Sequence, residues 1–180
     1  MKRINVGAGD SLLAGYLRTP AVGLCELAWN AFDEDASHVT ISIVDNDLGS
    51  LDSVIVEDDG TGMDVMTVTR EFAKVGDSSK ATSLGRSSPG GRPVHGRLGR
   101  GRYSAFSFGG LVSWESTSAA VKGLSSVRVR GNRDDLKGFD VEEVDVPLSD
   151  RTGTRVVMNN ITELAQKAFD NRESLETRLT

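Results

Sequence analysis

The chain has 180 residues, 38% hydrophobic and 26% charged, a composition that suits one globular domain able to bury a proper core. Its net charge of −5 lacks the basic excess of a dedicated nucleic-acid binder, and no apolar run approaches the ~20 residues of a membrane span. A single cysteine, Cys25, excludes an internal disulfide and fits a reducing compartment; with no signal-peptide pattern at the N-terminus, the sequence reads as cytoplasmic.

Residues 10–18, DSLLAGYLR, pattern as a short amphipathic helix capped by Asp10 or Ser11. Pro20 suits the first turn of a second helix running to about Ala36, with Leu24, Leu27, Ala28 and Ala31 on its core side. On that helix Glu26, Asn30 and Asp33 fall at i, i+4 and i+7, which lines them up in one polar stripe. Such a stripe is either a solvated face or the working edge of a site. HVTISIVDND alternates as a strand, with Val39, Ile41 and Ile43 on one face; DNDLGS is a turn, and LDSVIVED the partner strand of a hairpin. DVMTVTREFAKVG reads as a helix with Asp64 near its start.

The chain then changes character. Between Gly76 and Gly101 lie seven glycines, two prolines and five basic residues, Lys80, Arg86, Arg92, Arg97 and Arg100, against one acid, Asp77. A long loop inside a compact domain is a functional lid or a disordered segment. RYSAFSFG follows as a short helix. LVSWESTS, LSSVRVRG, FDVEEVDV and GTRVVMNN read as three or four strands, and TELAQKAFDNRESLETRL as a closing helix capped by Thr162. The order predicts an α+β fold: a two-layer sandwich with a mixed, mostly antiparallel sheet and helices on one face. We expect one domain over 1–180 with a flexible lid at about 76–101, and a chain that ends with a helix suits the N-terminal part of a longer protein.

Several motifs fail. VGAGDS lacks the third glycine of a dinucleotide fingerprint and follows too short a strand; no G-x-x-x-x-G-K-[ST] occurs. DNDLGSLD misses the calcium-loop pattern, and His38 and His95 are far apart with no cysteine partner for zinc. Cys25 sits on a different helix face from Glu26 and reads as a small packed residue.

Others hold. In VIVEDDGTGM, Asp58 ends an apolar strand and Gly60 and Gly62 follow at D-x-G-x-G spacing. Glycines there permit a tight turn and close backbone approach to a ligand. A carboxylate at such a strand end can accept a hydrogen bond from an exocyclic amine, which adenine has and guanine replaces with a carbonyl; an ordinary D-G turn accounts for the same residues. In HGRLGRGRYSAF, Gly96, Gly99 and Gly101 have G-x-x-G-x-G spacing before a helix start, suited to phosphate, though a flexible linker fits as well. Thr154 opens a strand after Gly153 and by itself signals little.

Taken together and in this order, the four elements resemble the GHKL (Bergerat-fold) ATPases, the superfamily of Hsp90 chaperones, type II topoisomerase ATPase domains, MutL, Morc proteins and histidine kinases. The E-x-x-x-N-x-x-D helix matches Glu26, Asn30 and Asp33. D-x-G-x-G matches Asp58, Gly60 and Gly62, G-x-x-G-x-G matches Gly96, Gly99 and Gly101, and the late threonine matches Thr154. The third motif, GRLGRGRYSAF, is most similar to the Hsp90 form, and KVGDSSK to the Hsp90 and Morc lids.

The resemblance implies an ATPase using ATP and Mg²⁺. Glu26 would be the general base and Asn30 the metal ligand, with Asp33 near the phosphates. Asp58 would receive the adenine amine, completed by Gly60, Gly62, Met63 and Thr154. Gly96, Leu98, Gly99 and Gly101 would wrap the phosphates, with Lys80, Arg97 and Arg100 as phosphate partners. It further implies chaperone-like lid closure and an ATP-dependent homodimer, with no membrane partner and none of nucleic acid indicated by this domain. An ATP-binding switch with negligible hydrolysis and the ATPase domain of a DNA-repair or chromatin machine are the alternatives. A histidine kinase fits poorly, because no histidine precedes Glu26. One departure stands out: Asp59 follows Asp58 where many members have a neutral residue, and two adjacent carboxylates repel unless Asp59 points to solvent.

Overall fold

A computed structural model describes residues 1–75, 91 and 101–170. In chain order the elements are β1 (Lys2–Asn5), α1 (Asp10–Ala14), α2 (Pro20–Asp33), β2 (Val39–Asp45), β3 (Leu51–Asp58), α3 (Val65–Phe72), a 3₁₀ helix (Gly101–Ser107), β4 (Gly109–Ala120), β5 (Gly123–Asn132), β6 (Asp135–Val144), β7 (Gly153–Ile161) and α4 (Glu163–Asp170). The strands form one seven-stranded sheet in the order β1-β6-β5-β4-β7-β3-β2. Every pairing among the described residues is antiparallel, in keeping with the expected α+β architecture and its mostly antiparallel sheet.

Register assigns the two sheet faces. Residues directly paired across antiparallel strands share a face, and alternate residues along a strand swap faces. Val56, Val156, Trp114, Val129 and Val141 are paired in sequence across five strands, and all are buried. One residue on, Glu57 pairs with Arg155, Arg155 with Glu115, Glu115 with Arg128 and Arg128 with Glu142. Their side chains make an ion-pair ladder: Glu57–Arg155 at 3.4 Å, Arg155–Glu115 at 3.4 Å, Arg128–Glu115 at 2.9 Å and Arg128–Glu142 at 3.8 Å. Half-exposed pairs of this kind contribute little stability individually. Their value here is diagnostic, marking the open face of a two-layer sandwich whose helices cover the other.

The apolar face carries an aromatic cluster. Phe72, Trp114 and Phe139 pack edge to face, with centroids 5.1 Å apart for Phe72–Phe139 and 5.5 Å for Phe72–Trp114, and Tyr103 and Phe106 close around them. Helix α2 lies against the 3₁₀ helix through Gly23, where an added Cβ would come within 2.8 Å of Phe108 Cε2 and 3.1 Å of the Ser104 carbonyl. A larger residue would wedge these two elements apart.

Three local expectations are adjusted. Helix α1 stops at Ala14 because Gly15 ends it, and its N-cap is Gly9 with no side-chain cap, not Asp10 or Ser11. Helix α2 ends at Asp33, with Glu34 as C-cap and Asp35 left-handed at φ 62°. Strand β2 is an edge strand, so Ile41 and Ile43 share a face but stay 38% and 40% exposed. Elsewhere the capping chemistry follows the sequence: Asp64 caps α3 by accepting from Thr67 N at 2.6 Å, and Thr162 Oγ1 accepts from Ala165 N at 3.2 Å to start α4. No helix among the described residues is long and apolar enough to cross a membrane.

Candidate nucleotide site

Three features meet along α2. Its stripe places Glu26 and Asn30 half-buried and Asp33 fully buried. Glu26 and Asn30 have no hydrogen-bond partner among the described residues, which leaves one carboxylate and one carboxamide open to a ligand. The second feature is Gly101. A Cβ there would lie 2.6 Å from Asn30 Nδ2 and 2.8 Å from Oδ1, so the backbone of this last motif glycine rests directly on the Asn30 carboxamide. The third is the turn after β3. Thr61 N donates to the Glu34 carbonyl at 2.9 Å, and a Cβ on Gly60 would strike that same carbonyl at 2.7 Å. Asn30 lies one helical turn before Glu34 and Glu26 one turn earlier, so the polar stripe runs from the β3 turn along about 12 Å of helix.

The β3 turn is built around Asp58. Its Oδ1 accepts from Gly60 N at 2.9 Å and Thr154 N at 3.2 Å, while Oδ2 has no hydrogen-bond partner among the described residues. Burial raises the Asp58 pKa, opposed by those two backbone donors and helped by the negative charges of Asp59 and Glu34. Gly62 is left-handed at φ 69° and packed so closely that a Cβ would collide with the Thr117 carbonyl. Met63 N donates to Ser116 Oγ at 2.8 Å, and Ser116 Oγ lies 2.8 Å from Thr154 Oγ1. Asp58, Gly60, Gly62, Met63 and Thr154 thus form one contiguous group.

Asp59 does not compete with Asp58. Its Oδ1 accepts from Ser37 N at 2.7 Å and His38 N at 2.8 Å, and His38 Nδ1 donates to Oδ2 at 3.0 Å. The His38 backbone and side-chain bonds lower its pKa to about 2. The second carboxylate of the DD pair faces the other way and holds the segment between α2 and β2.

Ser116 was missed in the sequence. Its only signal is parity: it shares a face with the buried Trp114, so a hydroxyl had to point inward at the end of an apolar row. A cleft of about 350 Å³ also borders Asp58 and Thr154, but it is lined by Thr40, Glu57, Glu115 and Arg155 on the charged face. It lies behind the sheet and excludes Glu26 and Asn30. Lys80, Gly96, Arg97, Leu98, Gly99 and Arg100 lie outside the described residues, as does the expected lid apart from Gly91 and Gly101.

A two-layer sandwich with a polar helix stripe ending on a D-x-G-x-G turn is the Bergerat ATPase fold. The model of the histidine kinase-, DNA gyrase B- and HSP90-like ATPase family matches residues 18–154, about three quarters of the chain. The chain belongs to this family, the GHKL superfamily, and is a nucleotide-binding domain of the ATP type. No curated protein matches it significantly.

Proposed function

We propose that this domain binds Mg²⁺–ATP and hydrolyses it to ADP and phosphate. The observation that carries the reading is the alignment of three polar groups without a hydrogen-bond partner among the described residues, Asp58 Oδ2, Asn30 and Glu26, along one edge of α2 and the turn that abuts it. Asp58 Oδ2 would accept the adenine amine, with Gly60, Gly62 and Met63 forming the floor and Thr154 the side of the base site. Asn30 would give its amide oxygen to Mg²⁺, which suits a cation that takes few protein oxygens beside phosphate and water. The fit is supported by the bare Gly101 backbone against that carboxamide, which leaves no methyl group in the way. The chemistry that Mg²⁺ would supply there is neutralisation of the phosphate charge.

Glu26 would take the proton of a water whose oxygen attacks the γ-phosphorus, while the bridging oxygen departs with ADP. Its half-buried carboxylate has no competing donor among the described residues. Asp33, buried one turn beyond Asn30, would order the phosphates or their waters. From sequence, the basic and glycine-rich stretch Lys80 to Gly101 would supply phosphate donors and close on ATP, driving homodimerisation in an Hsp90-like manner in the cytoplasm.

The test is Glu26→Ala. ATP affinity should stay within about threefold of wild type while turnover falls by roughly 10²-fold or more. Turnover at the wild-type rate would remove Glu26 from the mechanism. Wild-type protein that binds ATP without turnover would favour a switch module.

A further inference from the structure

The most unusual side chain in the molecule lies outside this mechanism. Arg102 follows Gly101 and is only 8% exposed. Its guanidinium donates from Nη1 to the Glu71 carbonyl at 3.0 Å and from Nη2 to the Lys74 carbonyl at 2.8 Å, with the Phe72 carbonyl at 3.4 Å. It also packs over three rings, 4.8 Å from the Tyr103 centroid, 5.3 Å from Phe72 and 5.7 Å from Phe139. Two of these carbonyls, Glu71 and Phe72, belong to the last turn of α3, which leaves them without intrahelical partners, and the third, Lys74, lies just beyond its C-cap Ala73. A cation at a helix C-terminus also complements the helix dipole. Arg102 is thus a C-cap for α3 supplied from thirty residues away, clamped by the aromatic core.

This grip has a consequence one residue back. Gly101 is covalently joined to the clamped Arg102, and its backbone rests on the Asn30 carboxamide. Among the described residues no hydrogen bond fixes that carboxamide, so the Gly101 wall is what restrains its rotation.

We propose that Arg102 is a positioning residue for the metal end of the site: by fastening the 3₁₀ helix to the end of α3, it sets Gly101 against Asn30 and holds the Asn30 amide oriented for Mg²⁺. The inference rests on Asn30 being the metal ligand. Asp58 and Thr154 are tied together by their own hydrogen bonds, independently of Arg102. Loss of the Arg102 grip therefore acts on the metal end and spares the base end. Outer-sphere groups that orient metal ligands change metal affinity or activity by about 10–100-fold.

The experiment compares Arg102→Met and Arg102→Lys with wild type in the full chain. ATP is titrated with and without Mg²⁺, and the ratio of the two affinities is read beside turnover and thermal melting. We expect ATP affinity without Mg²⁺ to stay within about threefold, and the Mg²⁺-dependent gain and kcat to fall about tenfold or more in Arg102→Met. Arg102→Lys, which keeps donors for the α3 carbonyls, should recover part of both. It also serves as the readout if the methionine variant does not fold. In an Asn30→Ala background, Arg102→Lys should change the Mg²⁺ ratio no further. An unchanged Mg²⁺ ratio in a folded Arg102 variant, or equal loss of affinity with and without Mg²⁺, overturns the proposal. Wild-type protein whose ATP affinity ignores Mg²⁺ instead overturns the metal role of Asn30.

Discussion

Replacing Asp58 by Asn separates the chemistry of the base site from its architecture. In the wild type Oδ1 is occupied by Gly60 N and Thr154 N, and Oδ2 is the atom without a partner among the described residues. An asparagine keeps a carbonyl oxygen for the two backbone donors and puts an NH₂ where Oδ2 stood. That NH₂ faces the adenine amine donor to donor, and it matches the carbonyl that guanine and hypoxanthine carry at the same position. Losing a hydrogen bond to a charged acceptor costs about 1.5–3 kcal/mol, and the unmatched donors place this case in the upper part of that range. At about 2–3 kcal/mol, ATP affinity should fall roughly 30- to 150-fold. ITP and GTP should gain relative to ATP. Stability should not fall with it. The folded-state pKa of Asp58 is raised, so this carboxylate contributes stability only at low pH, and that contribution is lost as pH rises through the folded value. At neutral pH the charge is a burden that Asn removes, and melting at pH 7 should be unchanged or higher. Calorimetry with ATP, ITP and GTP beside a melting curve reads all of this. ATP affinity within threefold of wild type, or a variant that still rejects ITP as wild type does, would refute the role given to Oδ2.

Gly101→Ala should weaken Mg²⁺–ATP binding at least tenfold with little change in Mg²⁺-free affinity, because the methyl group reaches within 2.6–3.1 Å of the Asn30 carboxamide; equal affinities in calorimetry would contradict it. Gly23→Ala gains about 1 kcal/mol of helix propensity but drives a methyl group into Phe108 and the Ser104 carbonyl, an overpacking cost of about 1–3 kcal/mol. The backbone carbonyl cannot swing aside, so a net loss is expected in denaturant unfolding. Asp64→Ala removes the α3 cap and should cost about 1 kcal/mol, lowering Tm by about 2–4 °C. Because the Asp64 pKa lies below its ordinary 3.8, its contribution is present above that pH and lost as pH falls through the folded value. Wild type and variant should therefore converge in acid, and a constant gap down to pH 2 would point away from the cap.

What the sequence made legible was local or linear. The spacing of Glu26, Asn30 and Asp33 fixed a helix face, and the glycines after Asp58 fixed a turn. Alternation marked four segments, read as three or four strands, and all four are strands, β4 to β7. What it hid was tertiary. Nothing near Lys2–Asn5 says that four residues will pair with β6 as an edge strand. Gly23 looks like a weak point in a helix until Phe108 and Ser104 are seen against it. Arg102 reads as the first residue of a short helix with no role of its own, and only the aromatic cluster and the open end of α3 turn it into a buried clamp. Asp59 looked like an electrostatic fault, but its partners on Ser37 and His38 are twenty-two and twenty-one residues away. The charged ladder, by contrast, was written in alternation, in VRVRG and DVEEV, and needed only the register to be read.

The central claim is that this domain recognises ATP through Asp58 and holds its metal through Asn30. Calorimetric titration of the wild-type protein with ATP and with GTP, each with and without Mg²⁺, tests it most directly. The account predicts ATP binding that Mg²⁺ tightens, with GTP at least tenfold weaker under both conditions. GTP binding as tightly as ATP, or ATP producing no binding heat at any Mg²⁺ concentration, would contradict it.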